Sequence, residues 1–97
     1  MLDRLIEEGE QVRQTCIQRE KVNSHMTFSY ITGENYVKWI SKCILFLEET
    51  YPGRTLTMRF IQASTNAVGA HGGEGYLNTM TGILKGIKEF ESESEKR

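Results

Sequence analysis

Proline and tryptophan occur once each in this chain, cysteine only twice, and neither sign of charge prevails. The 12 Lys and Arg are interspersed with 13 Asp and Glu for a net charge of −1, which argues against a dedicated nucleic-acid surface. No apolar run approaches the roughly 18 residues of a membrane span. The opening MLDRLIEEGE is acidic and amphipathic, without the basic start and apolar core of a secretion signal. The expected setting is therefore the cytoplasm, with neither nucleic acid nor membrane as a partner. Cys16 and Cys43 allow one bridge at most and lack the CxxC or clustered Cys/His spacing of a metal site. Both fall on apolar faces, where a free thiol in a reducing compartment acts as a small hydrophobe. A redox pair is the alternative.

Catalytic constellations are missing as well. His25 and His71 are the only histidines. His71-Gly72-Gly73 is similar to the glycine-rich oxyanion loop of some esterases, but that motif needs a G-x-S-x-G nucleophile elbow, and none is present. There is no Gly-Lys-Ser/Thr of a phosphate loop, no dinucleotide G-x-G-x-x-G after a strand and no HExxH zinc helix. The expectation is a protein that is not an enzyme, with no catalytic residue, no metal and no cofactor.

What is present is helical patterning on the scale of one domain. The stretch GENYVKWISKCILFLEETYPG, residues 33 to 53, holds the only Trp, the only Pro and the densest apolar run. At 100° per residue, Tyr36, Val37, Trp39, Ile40, Cys43, Ile44, Phe46, Leu47 and Tyr51 cover about half the circumference. A face this broad predicts a central helix over about 34–51 that touches several neighbours. Thr32 is a candidate N-cap, with Glu34 and Asn35 in the first turn. Pro52-Gly53 stops the helix.

The other helices are read around it. Residues 2 to about 20 carry a narrow stripe of Leu2, Leu5, Ile6, Gly9, Val12, Cys16 and Ile17. A third helix spans about Thr55 to Ala67, capped by Thr55 or Thr57, with Leu56, Phe60, Ala63, Ser64 and Ala67 on one side. A fourth spans about Gly75 to Glu91, with a stripe of Tyr76, Leu77, Met80, Ile83, Leu84, Ile87 and Phe90. Gly82 and Gly86 lie beside that stripe, each costing about 1 kcal/mol of helix propensity relative to alanine. They are either tolerated weak positions or the site of close approach of another helix, from this chain or from a partner. Residues 22–33 alternate Met26, Phe28 and Tyr30 with smaller or polar residues. With no second strand in view, they read as an extended loop whose aromatics pack on the helices. The alternative is an edge strand pairing with a second copy.

Two surfaces stand out as candidate sites. Gly69 to Gly75 holds four glycines in seven residues before a helix start. Its amides suit an anion or nucleotide, with His71, Gly72, Gly73 and Tyr76 as contacts, although Glu74 opposes an anion there. The second is contact surface: Phe28, Tyr30, Leu45, Met58, Gly82 and Gly86 are candidate exposed features that mark an interface if they cluster.

The segment ITGENYVKWISKCILFLEETYPGRTLTMRFIQAS resembles a helical module in uncharacterised bacterial proteins, some suspected of roles in phage defence. The resemblance rests on Tyr36, Trp39, Phe46-Leu47, Tyr51-Pro52 and Phe60, and extends over residues 31 to 90 at most. Its motifs specify a helix, a turn and a second helix, and transfer no catalytic residue. It implies a bacterial or phage protein, either a module excised ahead of an effector domain or a small stand-alone chain. The combined expectation is an all-α domain of four helices over residues 1–90, with a polar tail at 91–97. The expected function is a non-catalytic interaction or oligomerisation module whose partner is a second copy or another protein. The alternative is a small-ligand binder or nucleotide sponge using residues 69–75.

Overall fold

The computed structural model describes residues 1–23, 26–68 and 73–95, with side chains described throughout these except at 18–30 and 95. The fold is all-α in its body. Its helices are α1 (Leu2–Cys16), α2 (Glu34–Thr50), α3 (Thr55–Ala67) and α4 (Glu74–Glu95). Each buries one stripe. Leu2, Leu5, Gly9, Val12 and Cys16 of α1 face Tyr36, Trp39, Ile40, Cys43 and Leu47 of α2. Phe60, Ala63 and Ala67 of α3 and Leu77, Met80, Leu84 and Ile87 of α4 close the core.

The helices form a ring in which α1 and α3 each pack on both α2 and α4. Ion pairs of Asp3 with Lys88 and Glu10 with Lys85 show α1 and α4 running antiparallel. The arrangement is an up-down-up-down bundle. The expected central role of α2 does not hold. A ring gives each helix two principal neighbours, so the edges of α2's broad face stay partly uncovered, with Val37 exposed and Ile44 and Phe46 half-buried.

Residues 17–31 differ from the expected extended loop at 22–33. Helix α1 ends at Cys16. β1 (Ile17–Asn23) then pairs antiparallel with β2 (Met26–Ile31), in the register Ile17↔Ile31, Arg19↔Ser29 and Lys21↔Thr27. The partner of β2 was hidden in a run of Arg19, Glu20 and Lys21 that reads as a helix surface. Pairing with a β-prone neighbour overrides that weak local preference. The Thr32 N–H donates to the Cys16 carbonyl at 3.2 Å, closing the hairpin base and setting the start of α2 beside the end of α1.

Caps also differ from expectation. Gly33, not Thr32, precedes α2, with φ 121°, a conformation that side chains resist. Arg54 precedes α3. Thr57 Oγ1 instead donates to the Tyr51 carbonyl at 2.9 Å and fastens the α2–α3 turn. Helix α4 continues to Glu95, into the stretch read as a polar tail.

Trp39 is the tightest junction. Its Nε1 donates to the Leu5 carbonyl at 2.8 Å. Its ring stacks on Tyr36 with centroids 6.3 Å apart and tilts on Phe60 at 6.2 Å. The ring leaves no room beside α1: a Cβ on Gly9 would lie 2.8 Å from Trp39 Cζ2 and 3.1 Å from Thr81 Cγ2. Gly82 and Gly86 are the opposite case, since a Cβ there meets nothing within 4 Å. Among the described residues, no helix approaches them closely.

Opposite outcomes are therefore expected for the same substitution at two glycines. Gly9→Ala overpacks the Trp39 contact and should cost about 1–3 kcal/mol despite its better helix propensity. Gly82→Ala should raise stability by up to about 1 kcal/mol. Trp39→Ala should cost about 3–5 kcal/mol. Urea denaturation midpoints check the series, and a destabilised Gly82→Ala with a neutral Gly9→Ala would contradict the packing described.

Candidate functional site

The candidate residues fall at opposite ends of the bundle. At the hairpin end, His71 and Gly72 lie outside the described residues. Gly73 precedes α4, and its carbonyl accepts the Tyr76 N–H at 3.3 Å. Tyr76 is 38% exposed. Glu74, the acid expected to oppose an anion there, bonds Arg13 Nη1 at 3.4 Å. Arg13 also reaches Thr81 Oγ1 at 3.4 Å and Glu10 at 3.3 Å, so these groups tie α4 to α1.

Of the expected interface residues, Phe28 and Tyr30 lie on β2, with side chains outside the described set. Leu45 and Met58 are exposed at 67% and 60% on α2 and α3. Gly82 and Gly86 are open to solvent on α4. Of these residues, Gly86 lines a concave feature.

That feature is an open groove of about 850 Å³ between the start of α3 and the last turns of α4. Leu56, Ile87, Phe90 and Tyr51 supply its apolar lining. Arg54 borders it from the α3 side and Glu91 from the α4 side. Phe90 and Leu56, expected on buried stripes, are 69% and 41% exposed. For Phe90 the cause is a length mismatch. Helix α4 has 22 residues, whereas its neighbours α1 and α3 have 15 and 13. At about 1.5 Å per residue, α4 overhangs the ring. Sequence reading treated Phe90 as one more member of a periodic stripe. The signal that would have exposed it is the relative length of the helices.

The first turn of α3 has no acid, and Arg54 before it gives no side-chain cap, so the positive helix end is uncompensated. The last turn of α4 has no base, and the helix carries Glu91 and Glu93 toward its negative end.

The thiols are placed differently. Cys43 has no exposed surface, and burial, with Glu8 nearby, pushes its thiol up to about 12. Cys16 is buried near the hairpin base, and both cysteines are unbridged. Among the described residues no group of three or more His, Cys, Asp or Glu is arranged to hold a metal ion, and no helix is long and apolar enough to cross a membrane.

No family model, curated protein or solved structure matches this chain.

The protonated, buried state of Cys43 has a direct consequence. In a Cys16→Ser background, an aromatic disulfide reagent at neutral pH should label Cys43 only at the rate of global opening, and at once in denaturant. Prompt labelling of the native protein would contradict its burial.

Proposed function

We propose that this chain is a non-catalytic interaction and oligomerisation module of a bacterial or phage protein, acting in the cytoplasm in a defence or anti-defence setting. The observation that carries this reading is the groove between the start of α3 and the last turns of α4. A large aromatic exposed on an overhanging helix, beside Leu56 and an open glycine, is costly to leave in water. A concave apolar patch with a polar rim is the anatomy of a protein contact site. The setting rests on the resemblance of residues 31–90 to bacterial modules with suspected roles in phage defence. Phe28, Tyr30, Leu45 and Met58 are proposed as secondary contacts.

One observation favours the second reading, a small ligand of nucleotide type at Gly73 and Tyr76. Arg13 takes up the charge of Glu74 at the start of α4, which lessens the expected repulsion of an anion. Tyr76 would supply a stacking face worth roughly 1–3 kcal/mol per base. Calorimetric titration with mono-, di- and cyclic nucleotides separates the two readings.

For the module, sedimentation equilibrium at micromolar concentration should give a mass that is a multiple of the 11.1 kDa chain. A single 11.1 kDa species throughout would overturn the self-association reading.

A further inference from the structure

We infer that the groove's occupant is a second copy of this chain. Two copies pair about a two-fold axis, each laying Phe90 over Leu56 and Gly86 of the other and setting Glu91 against the other's Arg54. This deepens the self-association reading above and rests on it.

Shape is the first ground. Phe90 projects from α4, and Gly86 sits one turn earlier on the same helix with open space where a Cβ would be. Residues one turn apart share a helix face. A knob and a hole on one face are what a two-fold contact requires, because the same patch must complement itself.

Charge is the second ground and decides the occupant. Arg54 and Glu91 border one groove from different helices, yet among the described residues neither is in an ion pair. An acidic foreign peptide would satisfy Arg54 and meet Glu91. A basic one would do the reverse. A second copy satisfies both, and does so twice. The helix ends agree with this. The start of α3 in one copy, which has no acid in its first turn, faces Glu91 and Glu93 on α4 of the other, and these suit a positive helix end.

The test is a charge exchange read by light scattering behind size exclusion, at low and at physiological salt. Wild type should elute at twice the 11.1 kDa chain mass. Arg54→Glu and Glu91→Arg should each be monomeric, since each places like charges together at both symmetry-related contacts. An equimolar mixture of the two variants should regain the dimer, because one chain offers acid at both positions and the other offers base at both. The double variant Arg54→Glu/Glu91→Arg should also dimerise. Both residues lie outside the buried core, and circular-dichroism melts matching wild type confirm that the variants fold. If wild type and both single variants are equally dimeric, this interface is wrong while self-association stands. A mixture that stays monomeric overturns the charge pairing. A monomeric wild type overturns both readings.

Discussion

The contact between the Trp39 ring and the backbone of α1 at Gly9 sets the geometry on which the bundle depends. An indole fits between two helices only if one of them presents no side chain at the crossing, and Gly9 supplies that absence. The same ring gives its single donor to the Leu5 carbonyl, so its polar edge is satisfied while its faces stay apolar. Phe60 and Tyr36 then pack on the ring, and through it α1, α2 and α3 acquire fixed relative positions. Thr81 approaches Gly9 from α4, so all four helices meet within one layer. A glycine in mid-helix gives up about 1 kcal/mol of propensity. Here the close approach it permits is the compensation.

Closing the ring in that layer also determines what is left outside it. Helices of unequal length packed from a shared level must overhang at one end, and α4 is the long one. Its apolar stripe does not stop where its neighbours do, so Phe90 continues the pattern into solvent. The groove is thus a by-product of core periodicity running past the core. Its opposite charges are different in kind, because nothing in the packing of the ring calls for them. Among the described residues neither the Arg54 nor the Glu91 side chain is in an ion pair within the chain, which makes them informative about what lies beyond it.

The helices were legible in the sequence because their evidence is local. Periodicity and Pro52-Gly53 placed α2 within a residue of its limits, and α3 likewise. The end of α1 was not legible, since Ile17 continues the helical stripe and only pairing with Ile31 shows that the chain has turned into a strand. Alternation at Met26, Phe28 and Tyr30 marked β2, but its partner had no apolar pattern to announce it. The role of Gly9 was invisible for a related reason: which ring lands on a glycine is a property of the ring of helices. Leu45 and Met58 were correctly read as exposed. Leu56 and Phe90 were not, and for Phe90 the reason is that exposure at a helix end depends on the lengths of its neighbours.

The bundle's polarity keeps the two candidate surfaces apart. Antiparallel packing puts the end of α1, the hairpin base, Gly73 and Tyr76 at one end, and Arg54, Leu56 and Phe90 at the other. Tyr76 and Phe90 belong to the same helix, yet 14 residues separate them, about 21 Å along its axis. Substitutions that far apart with no shared partner act additively. The long helix is nevertheless continuous, and Arg13 fastens its start to α1 while Lys85 and Lys88 fasten its middle. Only the last turns beyond Lys88 lack such ties among the described residues. Phe90 and Glu91 therefore sit on the least constrained part of the most firmly anchored helix, where a partner can order the end of α4 without disturbing the ring that holds Trp39.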